Sequence, residues 1–182
     1  MQTHTAPIPR PDTHQAKAAP DEKVIVRHAG EGQLLKAFGD EVTILFAAEQ
    51  TQGKFTLFID QTPPGGGPPP HFHLNEDELF HVLEGSASFY ADGKWTDVKA
   101  GSTVYAPRGS IHTFRNVGTT PLRQLIRTSP SGFETFFARC AEVFSQPGGP
   151  DMERILQIGA QHGIHFVQPQ PDARGTSSAP AL

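Results

Sequence analysis

A chain of 182 residues with 36% hydrophobic side chains is long enough to bury a core and reads as one domain with tails. A net charge of −4 and a pI near 6.1 give no electrostatic ground for a nucleic-acid or anionic-membrane partner. The single Cys140 excludes an internal disulfide framework and a thiolate zinc site; with no secretory h-region and no spanning window, a cytoplasmic location is expected.

Residues 1–21 are rich in Pro, Thr, Ala and His without periodicity and are expected to form a disordered arm, as is the tail at 168–182. The domain between them, 22–167, opens with short β-type runs: KVIVRH (23–28), LLKAF (34–38), VTILFAA (42–48) and KFTLFID (54–60). HFH (71–73), ELFHVLEG (78–85), ASFYAD (87–92), KWTDV (94–98), STVYAP (102–107), IHTFRN (111–116) and LRQLIRTS (122–129) continue the series. Turn signals such as DGK, PRGS and NVGTTP separate them, which predicts an all-β antiparallel sandwich or barrel rather than βαβ units. The period then changes. Ser131 followed by Glu134 has the form of a capping box, and Phe133, Phe137, Cys140 and Phe144 line one face of a helix over 131–145. A second helix is expected from Asp151 to about Gln161, with Gly163 just past its end. Both are expected to pack over the barrel or across a partner subunit.

The chemistry-bearing stretch is GGGPPPHFHLNEDELFHVLEG, residues 65–85. Nine histidines in this length give about half of one His-x-His pair by chance, so the pair gains weight only from its surroundings. On a strand, His71 and His73 project from one face with Phe72 on the other. Glu78 opens an apolar run, a poor place for a carboxylate unless a cation neutralises it. Glu78, Phe80 and Val82 share a face, and His81 points the other way, as a packing residue or as support for the ligands. Glu76 and Asp77 read as turn residues. Downstream, His112 offers a fourth ligand, with Phe114 and Asn116 on its own face. His162 and His165 flank a helix end and read as capping or surface residues; His4 and His14 fall in the arm.

Two motifs in order carry a resemblance. Gly65, His71, His73, Glu78 and Gly85 match the first motif of the cupin family, and Gly101, Pro107, Gly109, His112 and Asn116 its second, with 15 residues between them. The resemblance implies a small antiparallel jelly-roll β-barrel with one or two C-terminal helices. It implies a divalent metal ion (Fe, Ni, Mn, Co, Cu or Zn) on His71, His73, Glu78 and His112. The glycines, Pro107 and Asn116 take turn and framework positions. The chain is most similar to bacterial single-domain cupins described as quercetinase-like, which implies a dioxygenase acting on a flavonol-like or other enolisable aromatic substrate.

Three imidazoles and a carboxylate leave a divalent ion with a local charge of about +1 and no thiolate preference. An octahedral ion with four protein ligands keeps two positions open, room for a small-molecule substrate and dioxygen. Glu78 is the residue placed to take a proton from a bound hydroxyl and is the catalytic candidate. Phe80, Phe114 and nearby Tyr105 point to an apolar, aromatic pocket. A metal-containing binding or sensing module without turnover is the alternative reading, and isomerase or decarboxylase chemistry, with a further acid or base near the metal, a third. Edge strands and an aromatic helix predict a homodimer.

Overall fold

The alternating runs of the sequence become strands where one face finds a core. The computed structural model describes residues 23–167, so the expectations for the arm and the tail lie outside the described residues. In chain order the elements are β1 (Gln33–Ala37), β2 (Asp40–Phe46), α1 (Ala48–Thr51), β3 (Thr56–Thr62), β4 (His71–His73), β5 (Asp77–Glu84) and β6 (Ser86–Ala91). There follow β7 (Lys94–Lys99), β8 (Thr103–Ala106), β9 (His112–Asn116), β10 (Leu122–Ser129), α2 (Phe133–Phe144), α3 (Met152–Gln161) and β11 (Ile164–Phe166).

The strands form two antiparallel sheets, ordered β1-β2-β3-β10-β5-β8 and β11-β4-β9-β6-β7. The ladder does not run round into a closed barrel; two sheets in a jelly-roll arrangement enclose the core. Inward-facing Val42, Phe58, Phe80, Val82, Phe114 and Leu122 fill it, each at most 5% exposed. At a transfer free energy of roughly 1.5–3 kcal/mol per large apolar side chain, this layer is what holds the sheets together. Both C-terminal helices pack over the sheets, α2 against β1 and α3 against β11. The hinge of this packing is Phe38, whose ring meets Phe136, Phe137, Phe144 and Phe166 at centroid distances of 4.9–6.4 Å.

Four expectations change. Residues 23–28 form no strand: Val24 is 95% exposed, and the segment is tied by the Arg27 Nε–H donating to the Leu45 carbonyl (3.0 Å), not by a ladder. The run at 42–48 ends at Phe46 and turns into α1. The Ser131–Glu134 capping box does not form, because Gly132 takes the cap at φ 141°, a conformation a side chain disfavours. Glu134 instead accepts from the backbone N–H groups of Gly132 (3.0 Å) and Ala48 (2.9 Å) and from the Thr56 hydroxyl, fastening α2 to β3 and α1. Finally, β11 was not foreseen. Gly163, at φ 74°, stops α3, and the three residues after it turn back to pair with β4. The start of α3 is as expected, with the Asp151 carboxylate accepting from the Arg154 N–H at 3.0 Å.

Candidate metal centre

Three strands from the two sheets bring four side chains together. His71 and His73 stand on β4, His112 lies on β9 in register with His71, and Glu78 comes from β5 in the opposite sheet. The backbone around β4 is shaped for this. A Cβ on Gly67 would lie 2.0 Å from the Phe114 carbonyl oxygen, so a residue without one lets β9 pass close beside the proline run. Gly109, at φ 81°, turns the chain before β9 and donates its N–H to the His73 carbonyl at 2.7 Å. Asn116 is a framework residue: its amide nitrogen donates to the carbonyls of Thr62 (3.0 Å) and Thr120 (2.9 Å), and its oxygen accepts from the Gly118 N–H.

The potential ligand atoms of His71, His73, Glu78 and His112 all lie within 4.8 Å of one another, and all four residues are buried. Each imidazole is oriented from behind. The Nδ1–H of His71 donates to the Pro69 carbonyl (2.8 Å) and that of His112 to the Ser110 carbonyl (3.0 Å). His73 donates to the Glu76 carboxylate (3.3 Å). These bonds commit the outer nitrogens and leave the Nε2 atoms facing inward, the tautomer metal ligation requires. His73 Nε2 is buried without a hydrogen-bond partner. The residues therefore fit a divalent cation.

The electrostatics agree. Burial, reinforced by the two neighbouring imidazoles, pushes His71 down to about 3, so its ring is neutral at pH 7. Burial opposes charge on His112 and Glu78, yet the contact of His112 Nε2 with Glu78 Oε2 at 3.0 Å holds His112 above the ordinary imidazole value, and the neighbouring His73 imidazole, followed by His112, holds Glu78 below the ordinary carboxylate value. The pair thus favours positive charge at the place where a cation would bring these two groups together.

The centre opens on a cavity of about 60 Å³, room for about four waters. Its walls include Phe58, Phe80 and Phe114 from the sheets and Phe133, Phe136 and Phe137 from α2. Phe133 stacks on Phe58 at 4.8 Å and on His73 at 6.1 Å. Among the described residues no lysine or arginine lines it.

Other expected positions fall elsewhere. Tyr105 is on the outer face, 59% exposed, because its neighbour Ala106 is the residue in register with Glu78. His81 also faces outward and meets the Thr103 hydroxyl at 2.9 Å, so it does not support the ligands. Asp77, expected in the turn, is the first residue of β5, and its carboxylate oxygens accept from the Arg108 backbone N–H and guanidinium, which together hold its carboxyl down to about 2. His162 is the C-cap of α3 and meets Arg139 Nη1 at 3.1 Å, while His165 stacks on Phe72 at 5.1 Å, both away from the centre.

Two features escaped sequence reasoning. Glu76, read as a turn residue, is 5% exposed and orients His73; the His-x-x-Glu spacing was the available signal. Asp40 and Asp60 also line the cavity, and their signal was an acid on the inward face of an alternating strand. Burial and then the charge of Asp60 push Asp40 up to about 8. Burial pushes Asp60 up to about 7 against the Thr62 hydroxyl, which donates to it at 2.9 Å; the charge of Glu78 adds to the rise.

Comparison with known proteins agrees with this picture. A family model described as a Cupin domain matches residues 58–126, which contain all four clustered residues. The chain is 27% identical over 139 residues to quercetin 2,3-dioxygenase of Bacillus subtilis, covering 72% of this chain and 41% of that protein. It thus spans about two fifths of that relative's length. It is 30% identical over 105 residues to an oxalate-binding protein of Thermotoga maritima, covering 57% of this chain and 82% of that one. Among solved structures, a predicted oxalate decarboxylase of Thermotoga maritima superposes with TM-score 0.53 at 25% identity, over 59% of this chain and 99% of the other. A polyketide cyclase of Streptomyces resistomycificus does so with TM-score 0.52, also at 25% identity, over 60% and 81%. With its two motifs, its paired sheets and a relative matched over most of its length, this chain belongs to the cupin superfamily.

Proposed function

We propose that the protein is a mononuclear metal cupin in which His71, His73, Glu78 and His112 hold the ion, and that it acts as a dioxygenase on an enolisable aromatic compound of flavonol type. The observation that carries the reading is the junction of the four-residue cluster with a cavity walled by phenylalanine and free of cationic side chains. A neutral aromatic ring with adjacent oxygens suits such walls; a carboxylate-rich substrate would meet three acids and no lysine or arginine. The similarity to quercetin 2,3-dioxygenase supports the same choice.

When bound, a redox-active divalent ion supplies Lewis acidity and a path for electrons between substrate and dioxygen. The chain supplies the rest. Glu78, ionised in its buried site, accepts the proton of the substrate hydroxyl, and the phenylalanine walls exclude the water that would return it. Phe133 and its α2 neighbours close the cavity and must shift for a three-ring flavonol, since about 60 Å³ holds much less. Oxygen uptake is measured with a flavonol panel after reconstitution with Fe, Mn, Ni, Co or Cu. Uptake lost in Glu78→Gln is the expected result; no uptake with any pairing sinks the dioxygenase reading.

Binding without turnover is the second reading, favoured by the small cavity and by the similarity to an oxalate-binding protein. Calorimetric binding of a small chelating acid without oxygen uptake would select it. A homodimer and a cytoplasmic location belong to the proposal as well. Val24 and Val26 stand exposed, as does Leu34 on the edge strand β1, and the one thiol, Cys140, is buried with its pKa pushed up to about 12. Among the described residues no helix is long and apolar enough to cross a membrane.

A further inference from the structure

The cavity has a second polar region that the metal centre does not use. Asp40 on β2 and Asp60 on β3 project from the inner face of the six-stranded sheet into the same space as His71, His73 and Glu78. Asp40 is 6% exposed, and its Oδ1 atom has no hydrogen-bond partner. Asp60 is 4% exposed and has one oxygen held by the Thr62 hydroxyl at 2.9 Å. A buried oxygen left unpaired costs free energy comparable to a lost hydrogen bond, so an acceptor aimed into a cavity is a place where a ligand gains what the empty protein lacks.

We propose that Asp40 and Asp60 form a hydroxyl-binding subsite, which recognises a neutral O–H group at the end of the ligand remote from the metal centre. The inference rests on the metal-cupin reading above and names a specificity element within it. The chemistry of the pair selects the ligand class. An anionic group is excluded, because two carboxyls and nearby Glu78 would face it with no lysine or arginine in the walls. A hard cation is poorly served, because two carboxyls, the Thr62 hydroxyl and the buried Gln124 amide beside Asp60 fall short of the six or more oxygens it takes. A hydroxyl needs an acceptor, which the unpartnered Asp40 Oδ1 supplies, while the Thr62 hydroxyl holds one oxygen of Asp60.

The test is calorimetric titration of the zinc-loaded protein, which binds without redox turnover. Two hydroxypyranones serve as probes: both carry the same chelating oxygens, but one bears a terminal hydroxymethyl group and the other a methyl. The wild-type protein is expected to prefer the hydroxymethyl compound. Asp40→Asn, Asp60→Asn and Asp40→Ala are expected to lose about tenfold in affinity for it, with the methyl compound and the zinc content unchanged. Three variants, each checked by thermal melting, keep the test open if one fails to fold. Wild-type binding of both probes with no selective loss in the variants overturns the subsite alone. Loss of zinc together with both probes in the variants also overturns it, since the acids would then be supporting the metal residues. Failure of both probes to bind the wild-type holoprotein, with zinc in place, overturns the parent reading and this one with it.

Discussion

At the scale of single residues, the centre depends on which nitrogen of each imidazole is committed outward. His112→Ala removes one ligand and the partner of Glu78, and metal content measured after purification without chelator is expected to fall from near one ion per chain to near none. Glu76→Gln leaves all four ligands in place but weakens the bond that aims His73. Competition against a chromophoric chelator is expected to show about 10–100-fold weaker metal binding. In the metal-free centre the contact with Glu78 favours the protonated form of His112. Because that contact holds His112 above the ordinary imidazole value of 6.5, metal competes with a proton for its Nε2 atom. Calorimetry in buffers of different ionisation enthalpy is expected to report proton release on metal binding that grows as the pH is lowered from 8 to 6, with affinity falling in the same direction. No release would mean that His112 is already neutral.

At the scale of elements, α2 connects the walls of the cavity to the sheets. Its apolar stripe was visible as Phe133, Phe137, Cys140 and Phe144, and Phe136 completes it at helical spacing. What holds its first turn was not visible, since Glu134 bonds to Ala48 and Thr56, residues 86 and 78 positions away in the chain. Glu134→Ala leaves one buried hydroxyl and two backbone N–H groups without their acceptor. It is expected to cost about 2–4 kcal/mol in urea unfolding, against well under 1 kcal/mol for the exposed neighbour Thr135→Ala. Equal costs would show that α2 is held by its phenylalanines alone.

At the scale of the whole molecule, Asp40 and Asp60 make stability depend on pH. Their folded pKa values, about 8 and about 7, lie above the ordinary 3.8, so the folded state binds more protons than the unfolded chain. Their contribution is complete below about pH 4 and is lost as the pH rises through 7 and 8. His71, depressed to about 3, acts in the opposite direction, losing its contribution as the pH falls below 6.5. The acids are therefore isolated by difference. In metal-free protein, Asp60→Asn is expected to gain stability relative to wild type as the pH rises from 5 to 8, by on the order of a few kcal/mol. Urea unfolding at both pH values checks it, and a pH-independent difference would refute it. Sedimentation velocity tests the homodimer, whose expected contact includes the exposed apolar run at Val24 and Val26.

The sequence by itself determined the two-motif pattern, the strand series from β1 to β10, the helix stripe of α2 and the four candidate ligands. Each is encoded in local spacing: alternation sets the face of a strand, and proline and glycine set its ends. Only the tertiary structure decided what those faces meet. It placed Glu78 in the opposite sheet from the three histidines, buried Glu76 behind His73 and turned Tyr105 outward. It also added β11 beside β4 and brought Asp40 and Asp60 to the cavity. These outcomes depend on strand order and register between residues far apart in the chain, and on the burial that results. Local spacing carries none of that information, because a strand of given pattern presents the same face whichever neighbour covers it.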